Sequence, residues 1–169
     1  MNLVLIGYRG TGKSAIGKQL ANPLGMRAVS LDEEIVAVAG QPIPDIVAQH
    51  GWVHFRDLEE AVCRRFGASD GMIIDCGGGV VERDANMESL RQNGKVIWLR
   101  ATPATIVRRI GGDNQRPSLT GTKSFTEEVE EVLIRREPLY GRMAHASLDT
   151  DNRSIEDLAS AVAKLINGG

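Results

Sequence analysis

The clearest chemical pattern lies near the start of the chain. The run Gly7-Tyr8-Arg9-Gly10-Thr11-Gly12-Lys13-Ser14 fits G-x-x-x-x-G-K-[ST] at every fixed position. Glycines at these positions let the backbone turn several N–H groups inward toward a polyphosphate. Lys13 would place a positive charge at the β- and γ-phosphates, and the Ser14 hydroxyl would bind Mg²⁺. The run predicts a nucleoside triphosphate site, and the alternative is a glycine-rich turn that matches by chance.

The segments beside this run support the first interpretation. Residues 3–6 are apolar and suit a buried parallel strand, and residues 15–20 suit a helix. A helix N-terminus adds partial positive charge at the phosphates. We predict that ATP is held by the loop and the first helical turn, that is by Gly10, Thr11, Gly12, Lys13, Ser14 and Ala15.

Size and composition indicate an ordinary globular domain. The chain has 169 residues, 42% of them hydrophobic and 25% charged, with a net charge of -2. The charge gives no reason to expect a nucleic-acid partner, and the apolar runs are too short for a membrane span. No basic residue precedes the first apolar run, so we expect no secretory signal. Cys63 and Cys76 suit buried thiols in a reducing cytoplasm. We expect a cytoplasmic monomer.

Short apolar runs alternate with helical patterns along the chain. We predict strands at residues 3–6, 26–31, 72–74, 95–99 and 146–149. We predict helical segments at residues 15–20, 33–39, 45–50, 51–66, 82–92, 103–110 and 124–137, followed by a last helix. Thr102, Ser124 and Ser154 are the predicted N-caps of the last three. Residues 111–122 lack periodicity and are expected to form a mobile loop. The alternation predicts an α/β fold with a parallel sheet covered on both faces.

Three polar segments follow predicted strands: the glycine-rich run, Asp32, and Asp75-Cys76-Gly77-Gly78-Gly79. Ligands of such sheets bind beyond the carboxyl ends of the strands, so these segments should meet in one cleft. Residues 75–78 also fit the D-x-x-G element of a switch GTPase. The guanine-reading pattern Asn-Lys-x-Asp is absent from the sequence, which favours a small-molecule kinase.

Further pieces occur in a characteristic order. They are Asp32, eighteen residues after Ser14; Phe55-Arg56-Asp57-Leu58-Glu59; Gly77-Gly78-Gly79; Arg116-Pro117; Arg136-Glu137-Pro138-Leu139-Tyr140; and Asp149-Thr150-Asp151-Asn152-Arg153. Together with the phosphate-binding loop, they resemble the shikimate kinase family, whose patterns include F-R-x-x-E and R-x-P-L-Y, over nearly the whole chain.

The resemblance implies the fold of the nucleoside monophosphate kinases. This fold is a three-layer αβα arrangement with a five-stranded parallel sheet in the order 2-3-1-4-5. It also implies a single kinase domain over residues 1–169, a substrate-binding region at about residues 31–60 and a mobile lid at about residues 111–124. The implied reaction transfers the γ-phosphoryl group of ATP to the 3-hydroxyl of shikimate, with Mg²⁺ as cofactor.

Catalytic roles then fall on Lys13, Asp32 and Arg116. Asp32 would accept the proton of the 3-hydroxyl and orient its oxygen for in-line attack, because positioning and charge neutralisation dominate phosphoryl transfer. Lys13 and Arg116 would stabilise charge on the transferred group. Arg116 lies in the predicted lid and would arrive only when the lid closes.

Shikimate is a hydroxylated carboxylate, and planar guanidinium groups bind carboxylates through two hydrogen bonds. Arg56 and Arg136 are the predicted carboxylate ligands, with Glu59 orienting Arg56. Without the resemblance, the Arg56–Glu59 pair would be interpreted as a solvated ion pair on a helix face.

The backbone N–H groups of Gly77, Gly78 and Gly79 can approach a substrate closely, although the same triplet would also suit a tight turn. Arg109 and Arg153 are predicted to flank the adenine. These glycines and arginines complete the predicted binding residues.

One position departs from the family pattern. The family usually has D-x-D after the second strand, and its first Asp helps to order Mg²⁺ through water; this chain has Ser30-Leu31-Asp32. Asp75 stands where a metal-binding carboxylate would follow a strand, and the family commonly has a small residue there. Asp75 is therefore a candidate for the Mg²⁺ contact, and the alternative is that it only caps the glycine turn. Other readings left open are a kinase for quinate or gluconate and a non-catalytic nucleotide-binding homologue.

Overall fold

The computed structural model describes residues 1–111 and 125–168. The strands in these ranges are β1 (Asn2–Ile6), β2 (Arg27–Ser30), β3 (Met72–Asp75), β4 (Gly94–Arg100) and β5 (Ala146–Asp149). The helices are α1 (Lys13–Leu24), α2 (Leu31–Ala39), α3 (Ile43–Gly67), α4 (Asp84–Arg91), α5 (Pro103–Ile110), α6 (Phe125–Met143) and α7 (Ile155–Asn167). A short 3₁₀ turn, Val80–Glu82, precedes α4.

The five strands form one parallel sheet in the order β2-β3-β1-β4-β5, which confirms the predicted order. Alternate residues of β1 face opposite sides of the sheet. Val4 and Ile6 pack in the core that includes side chains of α3 and α4, and Leu3 and Leu5 pack in the core that includes α1 and α7. Because both faces are covered, the polar segments can reach a ligand only at the strand ends.

Hydroxyl side chains cap three helices. Thr102 and Ser154 accept hydrogen bonds from the backbone N–H groups of Thr105 and Asp157, as predicted. Ser30 does the same for Glu33 and starts α2. Each cap of this kind contributes about 1 kcal/mol.

The second strand was predicted to end at residue 31, which is one residue too late. Strand β2 ends at Ser30, and α2 begins at Leu31 because the Ser30 hydroxyl caps it. Asp32 therefore lies in the first turn of a helix and has a fixed position relative to β2.

The helix predicted at residues 82–92 begins later than expected. The backbone N–H of Val80 bonds to the Gly77 carbonyl and that of Glu82 to the Gly79 carbonyl, forming a turn. Arg83 is extended, with φ -124° and ψ 126°, and α4 starts only at Asp84. The glycine segment therefore continues into a tight turn, which places Glu82 away from α4.

Helix α6 was predicted to stop before Pro138, and this prediction was wrong. The helix continues through Pro138 to Met143. Tyr140 is fully buried, and its hydroxyl donates a hydrogen bond to the Gly78 carbonyl. We attribute the continuation to this packing, which offsets the backbone hydrogen bond that proline removes.

Helix α3 contains the two helical segments that the sequence predicted. Gly51, with φ 85° and ψ 171°, is non-helical and separates them. Cys63 and Cys76 are buried thiols, as expected. Among the described residues, no helix combines the length and the apolar character that crossing a membrane requires.

Candidate active site

A cleft of about 780 Å³ opens at the carboxyl ends of β1, β2 and β3. Its walls come from the phosphate-binding loop, from the first turn of α2 and from the segment after β3. The predicted site residues that line it are Gly10, Gly12, Lys13, Ser14, Ala15, Asp32, Asp75, Gly77 and Gly78. Topology thus brings together the three polar segments that the sequence places after strands.

The phosphate-binding loop has the backbone of an anion site. Gly7, Gly10 and Gly12 have φ angles of 145°, 83° and 94°, which favour glycine. Helix α1 starts at Lys13 with no side-chain cap and no acidic residue in its first turn. The N–H groups of a helix start without such a cap suit an anionic ligand.

Lys13 is buried against this loop. Its exposed fraction is 7%, and Nζ donates hydrogen bonds to the Gly7 and Tyr8 carbonyls at 2.8 and 2.9 Å. The Thr11 hydroxyl also donates to the Tyr8 carbonyl, at 2.9 Å. Since the Thr11 side chain is engaged within the loop and buried, Thr11 would contact a phosphate through its backbone N–H.

Two further charged residues line the cleft that the sequence reasoning did not single out. Arg9 belongs to the loop, at a position where the motif allows any residue, and Glu33 follows Asp32 in α2. Neither carries a distinctive spacing signal. Only the predicted convergence of strand ends could have suggested them.

Asp75 ends β3, between its register partners Leu5 of β1 and Ser30 of β2. Burial raises the pKa of the Asp75 carboxyl to about 6, and the charges of Asp32 and Glu33 add to this, whereas Lys13 opposes it. A bound cation would lower this pKa by stabilising the carboxylate.

The donors around Asp75 fit Mg²⁺. Ser14, Ser30 and Glu33 line a groove with Asp75, so hydroxyl and carboxylate oxygens are grouped there. Mg²⁺ prefers oxygen ligands and usually keeps several waters beside one or two carboxylates and substrate phosphates. No cluster of three or more His, Cys, Asp or Glu side chains suited to a metal occurs in residues 1–111 and 125–168. A metal here would therefore rely on phosphate and water for most of its ligands.

Arg56 and Glu59 form a buried pair beside the glycine triplet. Arg56 Nη1 lies 2.9 Å from Glu59 Oε1, and the Glu59 side chain is 1% exposed. The alternative of a solvated surface pair is therefore wrong. A Cβ atom added at Gly79 would lie 2.3 Å from Arg56 Nη2, so the guanidinium needs a glycine at this position.

Arg136 approaches the triplet from α6. It is 4% exposed, and its Nε donates to Glu82 Oε2 at 3.2 Å. Its Nη1 lies 3.3 Å from where a Cβ atom of Gly78 would be. That same Cβ position is 3.4 Å from the backbone nitrogen of Arg9, so Arg136 and the phosphate-binding loop both border Gly78.

The two arginines predicted for the adenine both reach the end of β5. Arg109 donates to the Gly10 carbonyl at 3.0 Å and to the Thr150 carbonyl at 3.2 Å. Arg153 donates to the Asp149 carbonyl at 3.4 Å and to Asp157 at 2.7 Å. Arg109 therefore borders the phosphate-binding loop, whereas Arg153 lies at the end of β5. Arg116, the predicted lid and the predicted Ser124 cap lie outside the described residues.

The fold and the cleft define a P-loop phosphotransferase of the nucleoside monophosphate kinase type: a 2-3-1-4-5 parallel sheet carries a phosphate-binding loop that lines a cleft at the strand ends. The family model described as Shikimate kinase matches residues 9–167. The chain belongs to the shikimate kinase family.

Relatives of known name agree with this assignment. Shikimate kinase of Rhodopirellula baltica is 39% identical over 167 residues, covering 96% of this chain and 89% of the relative. Shikimate kinase of Symbiobacterium thermophilum is 39% identical over 164 residues, covering 96% and 94%. The solved structure of a shikimate kinase from Acinetobacter baumannii in complex with shikimate superposes with a TM-score of 0.94 at 31% identity, covering 99% of this chain and 93% of that one.

Proposed function

We propose that this protein phosphorylates the 3-hydroxyl of shikimate with ATP, giving shikimate 3-phosphate and ADP. One observation carries the proposal: two arginines, the partly buried Arg56 and the buried Arg136, flank the glycine segment that borders the phosphate-binding loop. A small carboxylate held by both guanidinium groups would lie next to the γ-phosphate of ATP. Family membership and the shikimate-bound relative support this acceptor.

In this mechanism, Asp32 orients the 3-hydroxyl and takes its proton as the oxygen attacks the γ-phosphorus. The bond from the γ-phosphorus to the bridging oxygen breaks, and ADP leaves with that oxygen. Lys13 and the loop N–H groups stabilise the charge that spreads over the phosphate oxygens. Arg116, although outside the described residues, is proposed to add a further cation.

The remaining roles are also proposals. Gly77, Gly78 and Gly79 would present backbone N–H groups to the acceptor, and Arg109 and Arg153 would flank the adenine. We propose a single kinase domain with residues 31–60 as its acceptor-binding region and residues 111–124 as its lid. We further propose that the protein works in the cytoplasm as a monomer, with no nucleic-acid or membrane partner.

Mg²⁺ is the proposed cofactor, where it would supply charge neutralisation at the phosphates. Ser14 and Asp75 are the residues that would hold it, Asp75 through water. Ser30 and Asp75 are register partners on neighbouring strands. The Asp75 carboxylate on β3 could therefore make the water-mediated Mg²⁺ contact that the family usually makes with the first Asp of its D-x-D pattern after β2.

The acceptor is tested by ADP release in a coupled assay with shikimate, quinate and gluconate. We expect turnover well above the ATPase background with shikimate, and much less with the other two acids. Turnover equal to background with shikimate would contradict the proposed function. Preferential use of quinate or gluconate would mean that the protein is a kinase with a different acceptor.

The metal contact is tested by binding, without reference to activity. Calorimetry of a non-hydrolysable ATP analogue, with and without Mg²⁺, should show that Asp75→Asn reduces the gain in affinity that Mg²⁺ gives. The double variant Ser30→Asp/Asp75→Asn moves the carboxylate to β2 and should restore that gain. An unchanged Mg²⁺ dependence in Asp75→Asn would leave Asp75 as a cap of the glycine turn only.

A further inference from the structure

We infer that Glu82 is a positioning residue that holds Arg136 in the orientation needed to bind the acceptor carboxylate. The inference rests on the proposed function, because it assigns Arg136 to that carboxylate. Glu82 carries no sequence pattern that marks it, and its role follows from the turn in which it lies.

The contact that carries the inference uses one specific atom of the guanidinium. Glu82 Oε2 accepts a hydrogen bond from Arg136 Nε at 3.2 Å. A planar guanidinium held at Nε leaves its two Nη groups at the end of the side chain as a fork suited to a carboxylate. In this case Nη1 is directed to the position beside Gly78. Glu82 therefore engages the part of Arg136 that a bound carboxylate would not need.

The backbone fixes Glu82 to the same segment that the acceptor would touch. Its N–H donates to the Gly79 carbonyl at 3.0 Å, within the turn that follows the glycine triplet. Tyr140, one helical turn after Arg136, donates to the Gly78 carbonyl. The turn and α6 are thus joined at two points, and Glu82 sets the distance between Arg136 and the glycines.

Arg56 has a counterpart arrangement. Glu59 holds Arg56 beside Gly79, and Glu82 holds Arg136 beside Gly78. Each arginine of the proposed carboxylate site is therefore paired with one glutamate and placed against one glycine. This symmetry argues that the Glu82 contact serves binding as well as folding.

Arg135 provides the matched control. It also binds Glu82, with Nη2 2.5 Å from Oε2 and Nε 3.4 Å from Oε1, but its side chain is 54% exposed whereas that of Arg136 is 4% exposed. If Glu82 served only a surface ion pair, Arg135→Ala would reproduce the effects of altering Glu82. If Glu82 positions Arg136, Arg135→Ala should leave acceptor binding nearly unchanged.

The kinetic test compares Glu82→Ala, Glu82→Gln and Arg135→Ala with the unmodified chain. We expect Glu82→Ala to raise the KM for shikimate roughly tenfold, as for a lost hydrogen bond to a charged group, with the KM for ATP little changed. Glu82→Gln, whose amide oxygen can still accept from Nε, should recover part of the loss. An equal rise in both KM values, or the same effect in Arg135→Ala, would overturn the inference.

A second readout does not depend on the acceptor. The Nε–H of Arg136, assigned by its loss in Arg136→Lys, should exchange slowly with water in the unmodified chain and rapidly in Glu82→Ala. Equal exchange in both proteins would overturn the inference even if shikimate is phosphorylated. Conversely, slow exchange that depends on Glu82, with no turnover of shikimate, would refute the proposed acceptor and leave the contact established.

Discussion

Asp32 illustrates how a single carboxylate obtains its role from position. The Ser30 hydroxyl caps α2, which begins at Leu31, and Asp32 then lines the cleft together with Lys13. Glu33 is adjacent in sequence and lines the same cleft, so charge alone does not separate the two residues. Separate substitution of Asp32 and of Glu33 distinguishes their roles.

We expect Asp32→Asn to lower kcat by roughly 10²–10⁴-fold, the range typical of a lost general base, while the affinity for ATP changes little. Glu33→Gln is the matched control and should cost far less. Steady-state kinetics with calorimetry of ATP binding give both quantities. Equal losses of kcat and of ATP affinity in Asp32→Asn would mean that Asp32 acts mainly on structure or on the metal.

Gly79 is constrained by the guanidinium beside it. In Gly79→Ala the new methyl group would occupy the place of Arg56, whose side chain must then move. We expect the KM for shikimate to rise at least tenfold, since Arg56 is proposed to bind its carboxylate.

Gly141→Ala is the control for this change, because its Cβ would meet Trp98 at 3.6 Å, an ordinary contact. Being inside helix α6, that substitution should raise the free energy of unfolding by about 0.5–1 kcal/mol. A normal KM for shikimate in Gly79→Ala would mean that shikimate binding does not require Arg56 in the position that the structure shows.

At the scale of elements, local signals predicted the helix starts better than the helix ends. Thr102 and Ser154 were recognised because a hydroxyl cap depends on neighbouring residues only. The continuation of α6 through Pro138 depends on the burial of Tyr140 between distant elements, which local propensity does not contain. The turn at Val80–Glu82 was also missed, and with it the contact between Glu82 and Arg136.

The stability that Glu82 contributes by binding Arg135 and Arg136 of α6 should depend on pH. Burial raises the pKa of Glu82, but hydrogen bonds and charges of Arg135 and Arg136 outweigh it, so the pKa is lowered overall. A lowered pKa means that ionised Glu82 stabilises the fold above its unfolded pKa of about 4.3, and that this stability is lost as the pH falls through the folded pKa.

Denaturant unfolding should therefore show Glu82→Gln to be less stable than the unmodified chain near pH 7, with a smaller difference near pH 4. Glu88→Gln, at an exposed position of α4, should change stability little at either pH. A Glu82→Gln deficit that grows on acidification would contradict the assigned sign.

For the whole molecule, the alternation of strands and helices predicted a parallel sheet and the meeting of its strand ends, whereas the strand order came from the resemblance to the shikimate kinase family. The sequence also predicted the residues of the phosphate loop, whose pattern is contiguous. It did not predict Arg9 and Glu33, whose positions carry no distinctive spacing signal, or Glu82, which meets Arg136 only after residues far apart in sequence have folded together.

The whole molecule is expected to act alone, since the residues proposed for both substrates come from one chain. Light scattering coupled to size-exclusion chromatography should give a mass near 18.3 kDa at micromolar concentration, with and without ATP and shikimate. A mass near twice this value would show that the monomer prediction is wrong.

The reactivity of the two buried cysteines can report how far the protein opens. Burial raises the pKa of both thiols, so each is protonated as well as shielded, and thiolate is the form that reacts. An aromatic disulfide reagent should leave the native protein unlabelled and modify two thiols per chain after denaturation. Cys76 borders the cleft, whereas Cys63 is a buried residue of α3. Saturating nucleotide should therefore slow the labelling of Cys76 more than that of Cys63, and the ratio of the two rates would measure how far the cleft opens without global unfolding.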